Sequence, residues 1–305
     1  MSLLLFIIIT SIFFLVSVSL AVFFLGTSVF LTPSRLTAQY YRGKNLPTHP
    51  SELSLPYENF TVTTNENFTL YGWYIPSSQP KGTIVYLHGV GDNKIGGLHL
   101  AKIFNENNFN VVLYDSRAHG ESEGNFCTYG YYEKFDVQKI LDEIEKKFQA
   151  KNIDVGKIGI YGRSMGAAIA LQATSIEPRI SAVISEGCFT TLRTITVDYQ
   201  KRLFYLPWHF LRNIVMKRAE KIANFKHREV SPIRAVEKIS CPLLFIHGEN
   251  DTNIQHYYSE LLFTAAGSKK KELYLVKNAH HNNIHAIGGN DFEKKVVSFF
   301  EKYLS

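Results

Sequence analysis

The stretch Lys157-Ile158-Gly159-Ile160-Tyr161-Gly162-Arg163-Ser164-Met165-Gly166-Ala167-Ala168-Ile169-Ala170-Leu171 decides the fold. Residues 157–161 read as a buried strand, and the small apolar run from Ala167 reads as a helix. Between them lies G-x-S-x-G with no spacer, which is the strand-turn-helix setting of a nucleophile elbow. Both glycines are needed there, because side chains two positions either side of Ser164 would collide with the neighbouring strand and helix. The turn exposes the hydroxyl, and the helix N-terminus behind it favours developing negative charge. The five-letter pattern alone is weak, and its plain reading is a glycine-rich βα turn. The flanking elements move the weight to Ser164 as a nucleophile.

Outward from this turn the hydrophobic period switches repeatedly. Residues 59–63 and 68–75 alternate apolar and polar side chains, as in an opening hairpin. Residues 83–87 read as a buried strand, 98–107 as a helix, 110–114 as a strand and 132–147 as an amphipathic helix. After the elbow, strands are expected at 182–184, 243–246 and 273–276, with a last helix over 291–303. Strands alternating with helices at this spacing predict βαβ units, a mostly parallel sheet with helices on both faces. Residues 188–240 interrupt the pattern with an insertion of mostly helical character that the sheet does not need. No internal repeat or low-complexity tract is present.

A hydroxyl needs a base, and the base needs an orienting acid. The strand at 243–246 runs into His247-Gly248-Glu249-Asn250-Asp251, which places Asp251 at the carboxyl edge of the sheet. The strand at 273–276 is followed by Lys277-Asn278-Ala279-His280-His281, which places a histidine at the same edge. Taken singly, Asp251 is an ordinary loop carboxylate and His281 a surface residue; their joint position raises both. Serine, aspartate, histidine is the chain order of α/β-hydrolases. An oxyanion hole completes the set: one donor is the Met165 backbone N–H, the other the Val90 N–H after Leu87-His88-Gly89. His88 could be mistaken for the base, but in this position it is expected to hold its loop by hydrogen bonds.

These residues resemble the α/β-hydrolase superfamily, and within it the membrane-anchored BEM46-like, prolyl-oligopeptidase-related serine hydrolases. The resemblance covers residues 59–303. It rests on His88-Gly89, the loop from Asp115 to Gly124, Thr128-Tyr129-Gly130, the elbow, the Cys241-to-Gly248 strand and Asp251. It implies acyl transfer on esters, thioesters or amides. The family's last motif usually has glycine just before its histidine, which puts His280 at the glycine and His281 at the base. Many members also have glycine where this chain has Ala118, so that turn is expected to avoid positive φ here.

Residues 3–25 contain no charge, and the first charged side chain is Arg35. A helix of that length spans about 34 Å, enough to cross a ~30 Å hydrocarbon core. A cleaved signal peptide would have a basic start and a shorter apolar core, and a buried core helix would show a polar face. Residues 1–32 are therefore expected to be a single-pass anchor, 33–56 a juxtamembrane linker, and 57–305 the hydrolase domain with its cap insertion at 188–240. Arg35, Arg42 and Lys44 follow the span and favour a cytoplasmic domain. The N-x-T triplets at Asn59 and Asn67 point the other way, and the side stays open.

The remaining composition mostly excludes. With 45% hydrophobic and 20% charged residues, disorder, collagen and coiled coil fall away. Cys127, Cys188 and Cys241 are too few and too scattered for a disulfide framework or a CxxC pair. A net charge of +6 is too modest for a nucleic-acid binder, and no nucleic-acid partner is expected. There is no phosphate-binding loop, no GxGxxG and no HExxH, and the i,i+4 pair His281 and His285 lacks a third ligand, so no cofactor or metal is expected. The charge is nonetheless concentrated. Residues 198–228 hold Lys201, Arg202, Arg212, Lys217, Arg218, Lys221, Lys226 and Arg228 against Asp198 and Glu220, together with Tyr199, Phe204, Tyr205, Trp208, Phe210 and Phe225. Such a cap either packs by its aromatics with its charges solvated, or touches anionic lipid.

The sequence thus points to a membrane-anchored serine esterase for amphipathic or lipid esters, with Ser164 attacking, His281 as base and Asp251 orienting it. A peptidase or thioesterase would use the same three residues. A non-catalytic scaffold is the reading the complete set argues against.

Overall fold

The computed structural model describes residues 2–150, 156–204 and 209–305, with side chains given for these except 22, 202–204, 209 and 210. Helix α1 covers Leu3–Leu31, and the short α2 covers Ala38–Arg42. Strands β1 (Glu58–Thr63) and β2 (Thr69–Ile75) form the expected hairpin, with Val62 opposite Leu70. Then follow β3 (Thr83–Leu87), α3 (Leu98–Glu106), β4 (Asn110–Tyr114), α4 (Glu133–Ala150), β5 (Ile158–Arg163) and α5 (Met165–Thr174). Strand β6 (Ile180–Glu186) leads into the insertion, with α6 (Leu192–Phe204), α7 (His209–Ala223) and α8 (Pro232–Val236). Strand β7 (Leu243–Gly248), α9 (Tyr257–Ala265), β8 (Lys271–Val276) and α10 (Ile284–Leu304) close the fold.

The eight strands lie in the order β1-β2-β4-β3-β5-β6-β7-β8. Both pairings of β2 are antiparallel and all others are parallel. Strands β3 and β4 are buried along their whole length, as expected of strands covered on both faces. Two core layers result: Val85, Val112, Ile160, Val183 and Phe245 face α4 and α5, while Ile84, Val111, Tyr161, Ile184 and Leu244 face α3 and α10. The chain reverses its direction of winding between β3 and β5, so the loops leaving these two strands part at the carboxyl edge. A crevice at such a point is where this class of sheet binds ligands.

Helix α10 starts earlier than the last helix expected from sequence. It carries a break at Gly289 (φ 48°, ψ −137°), and the stretch beyond the break agrees with the expected 291–303. A second difference concerns Ala118, which adopts φ 61° although its turn was expected to avoid positive φ. The surrounding bonds over-determine it. Its N–H donates to the Glu123 carbonyl at 3.0 Å, and Ser122 Oγ donates to the Asp115 carbonyl at 2.6 Å. A left-handed alanine costs roughly 1–2 kcal/mol, while glycine loses about 0.5–1 kcal/mol more conformational freedom on folding. Ala118→Gly should therefore leave the thermal midpoint unchanged or raise it by a few degrees, against the usual sense of that substitution. A clear fall in differential scanning calorimetry would contradict this.

The segment at 33–56 is built into the domain. Arg35 donates to the carbonyls of Gly120, Ser122 and Gly124 at 3.3, 3.0 and 3.1 Å. The Leu36 N–H donates to the Gly91 carbonyl at 2.9 Å, Asn93 Nδ2 donates to the Leu36 carbonyl at 2.7 Å, and Tyr41 donates its hydroxyl to Asp92. Helix α1 is also joined to the body at its end. Leu31 is buried, its carbonyl accepts the Cys127 N–H at 2.8 Å, and Phe30 stacks on Tyr129.

In the cap, Phe225 is buried and Tyr199 packs partly against the core. Tyr205 and Trp208 lie outside the described residues, as do the side chains of Arg202, Phe204 and Phe210. Arg218 faces α1: it donates to the Phe23 carbonyl at 2.8 Å, and its guanidinium lies over the Phe23 and Phe24 rings.

Candidate active site

Ser164 follows β5 with φ 54° and ψ −116°, a strained conformation for a residue with a side chain. The glycines around it have no alternative. A Cβ on Gly166 would lie 2.1 Å from the Leu87 carbonyl oxygen, and one on Gly162 would lie 2.4 Å from the Gly166 oxygen. Helix α5 begins at Met165, so the first N–H groups beyond the serine have no acceptor within the helix.

Three loops meet at this point. His281 Nε2 lies 2.9 Å from Ser164 Oγ, and His281 Nδ1 lies 2.7 Å from Asp251 Oδ2. A carboxylate can only accept, so Nδ1 carries the ring proton and Nε2 is left to accept the serine proton. Asp251 is held from several sides: its Oδ1 accepts the N–H groups of Asn253 and Ile254 at 2.8 and 2.9 Å, and His247 Nε2 approaches its Oδ2 at 3.1 Å. Burial pushes the Asp251 pKa up, but the hydrogen bonds from His247 and His281 outweigh it and hold the carboxyl well below the usual range. The group stays anionic where the imidazole needs it. His280 is exposed, and its backbone N–H donates to Asn283 Oδ1 at 2.6 Å. It is His281 that bridges the other two.

The loop after β3 lies against the nucleophile. A Cβ on Gly89 would be 3.4 Å from the Ser164 Cβ, and Val90 follows it at the exposed surface. His88 is fully buried. Its Nε2 accepts the Ser116 N–H at 2.9 Å, and its Nδ1 lies 2.8 Å from the Gly89 carbonyl, so it ties the loops after β3 and β4 together. Beside it, burial first and the neighbouring His88 second push the His119 pKa down to about 3. Unfolded histidine takes up its proton near pH 6.5, so between about 6.5 and 3 the unfolded state binds the extra proton. Stability should thus fall as pH drops through that window. Urea titrations from pH 7 to 4 check this, and His119→Gln should flatten the dependence.

Sequence reasoning gave no part to a polar cluster beside the relay. Arg163, the variable residue of the elbow, lies 3.3 Å by its Nε from Glu186 Oε1 and 3.4 Å by its Nη2 from Asn282 Oδ1. Glu186, at the end of β6, also takes His285 Nε2 at 2.7 Å and the Tyr161 hydroxyl. Burial raises its pKa, yet His285, Arg163 and Tyr161 outweigh that and bring it down to about 2. His285 thus serves Glu186, and the i,i+4 pair with His281 is divided between two carboxylates. Gly187 was missed as well: with φ 64° it leaves room for His281, whose Cε1 would lie 3.1 Å from a Cβ there. Only the order of strands in the sheet shows these partners.

Among proteins of known sequence, the chain is 28% identical to YqkD of Bacillus subtilis over 247 residues, covering 79% of this chain and 78% of that one. It is 29% identical to bem46 of Schizosaccharomyces pombe over 238 residues, covering 75% and 72%. Among solved structures, the Pyrococcus furiosus esterase Pf2001 superposes with a TM-score of 0.74 at 22% identity, over 90% of this chain and 99% of that one. An acylaminoacyl peptidase of Pyrococcus horikoshii gives 0.63 at 21% identity, over 87% of this chain and 43% of that one. At these identities the two structures speak for the fold alone. The family described as serine aminopeptidase, S33 matches residues 78–230, half of the chain and the half that carries the elbow. The chain therefore belongs to that family of α/β-hydrolases.

Proposed function

We propose that the protein is a membrane-anchored serine hydrolase that cleaves carboxylic esters of amphipathic or lipid character through an acyl-enzyme on Ser164. The observation that carries this reading is the unbroken line Asp251–His281–Ser164 on a strained turn. His281 Nε2 takes the hydroxyl proton as Oγ attacks the ester carbonyl. The tetrahedral oxyanion is received by the Met165 and Val90 N–H groups. His281 returns the proton to the departing alcohol, then activates water for the second half.

Membrane attachment is supported by the length and apolar surface of α1. It is supported further by the contacts of Phe23, Phe30 and Leu31 with the body, which a cleaved leader would leave behind. A peptidase would use the same relay, since leaving-group choice lies in pocket shape. A panel of monoacylglycerol, p-nitrophenyl, thioester and aminoacyl-anilide substrates decides between them. The ester reading requires kcat/KM to be highest on the esters and to rise with acyl length. Faster turnover of the anilides would replace it with the peptidase reading.

A further inference from the structure

Arg163 ends β5, one residue before the nucleophile, and its side chain is only 22% exposed. Its guanidinium meets three separate loops. The Nε lies 3.3 Å from Glu186 Oε1 at the end of β6. The Nη1 lies 3.8 Å from Asp92 Oδ2 in the loop after β3, and the Nη2 donates to Asn282 Oδ1 at 3.4 Å in the loop after β8. The first contact is an ion pair without a hydrogen bond, because Glu186 Oε1 is buried and has no hydrogen-bond partner among the described residues. The charge of Arg163 therefore compensates this oxygen, while its two terminal nitrogens reach the other two loops.

Those loops carry the rest of the chemistry. Asn282 directly follows His281, and three residues further on His285 Nε2 lies 2.7 Å from the other oxygen of Glu186. Both ends of the base loop thus rest on Glu186, one directly and one through Arg163. On the other side, Asp92 stands two residues after Val90. Its N–H donates to the Gly89 carbonyl at 3.2 Å, and its Oδ1 accepts the Asn93 N–H at 2.8 Å and the Tyr41 hydroxyl. The carboxylate that faces Arg163 is therefore fixed to the turn that presents the Val90 N–H. Base and oxyanion donor must act on the same tetrahedral centre, and a misplacement of about 1 Å can cost roughly 10²-fold in rate. A rigid guanidinium fork can span two such points, where a lysine ammonium is a single charge on a flexible stem.

We propose that Arg163 is a positioning residue for the hydrolysis: braced on Glu186, its guanidinium holds the base loop at Asn282 and the oxyanion loop at Asp92 in fixed register across Ser164. This rests on the relay reading given above and deepens it. Arg163 then has two separable tasks, a charge that offsets the buried Glu186 and a span that aligns the loops.

The test uses the full chain in detergent micelles, with initial rates on a short p-nitrophenyl ester. Arg163→Lys keeps a cation beside Glu186 and should hold the thermal midpoint within a few degrees, yet lower kcat by roughly tenfold or more with little change in KM. Asn282→Ala, at an exposed position, should lower kcat by a few-fold. The double variant should lose little more than Arg163→Lys alone, since both changes cut the same tie. Normal kcat in Arg163→Lys, or losses that multiply in the double variant, overturns the inference. A raised KM with kcat kept also overturns it, because the side chain would then be binding substrate. Should Arg163→Lys fail to fold, Asn282→Ala decides alone, and an unchanged kcat there rejects the brace. Full activity in Ser164→Ala overturns both readings, whereas an inactive Ser164→Ala beside a normal Arg163→Lys leaves the relay standing and removes only the brace.

Discussion

Replacing Ser164 with alanine is expected to reduce ester hydrolysis by roughly 10⁵-fold or more and to abolish labelling by a fluorophosphonate. The size follows from the geometry. The hydroxyl is the group at hydrogen-bond distance from His281 Nε2, and it stands on the turn that presents it to the loop carrying Gly89. Alanine keeps the Cβ and the strained backbone, so α5 and its packing against β5 persist. Any remaining rate would come from water activated by His281 and from the backbone donors, the residue usually left after removal of a nucleophile. Fluorophosphonate labelling followed by mass spectrometry of the active-site peptide measures this directly. Continued labelling of the variant would place the nucleophile elsewhere.

The second large effect is a contrast between neighbours. His281→Ala should lower kcat by about 10³-fold or more, and His280→Ala by a few-fold at most. One backbone step separates them, yet His281 closes the relay while His280 is exposed. Asp251→Asn should approach the His281 effect, because an amide at Oδ2 can stabilise the wrong tautomer and no longer balances the imidazolium. Initial rates on a short p-nitrophenyl ester, with thermal midpoints to show that the variants fold, give the comparison. A larger loss at His280 would shift the base by one residue.

Much of this is legible in the sequence. The elbow, the strand after which Asp251 sits and the strand before His281 are local patterns, because a buried strand and a glycine-flanked serine are specified within about ten residues. The structure brings the three residues together, with His281 2.7 Å from Asp251 Oδ2 and 2.9 Å from Ser164 Oγ. What sequence could not supply depends on which strands lie side by side. Glu186 and Arg163 meet because β6 pairs with β5, and His285 reaches Glu186 because α10, whose first turn carries it, packs against β6. Ala118 was misjudged for a different reason. A missing glycine does not by itself report the backbone, because the hydrogen bonds around Asp115, Ser122 and Glu123 hold the residue that stands there in the left-handed conformation.

The bonds from Leu36 and Tyr41 to the turn at Gly91–Asn93 set a limit on trimming the protein for work in solution. A chain that begins at Ser34 discards the greasy helix and keeps every one of these bonds. A chain that begins a dozen residues later removes the partners of Gly91, Asp92 and Asn93 as well. The loop that carries Val90 would then keep β3, His88 and the Lys94–Asp115 pair but lose its outer ties, and slow turnover in such a preparation would report the position of the cut and not the chemistry of the enzyme.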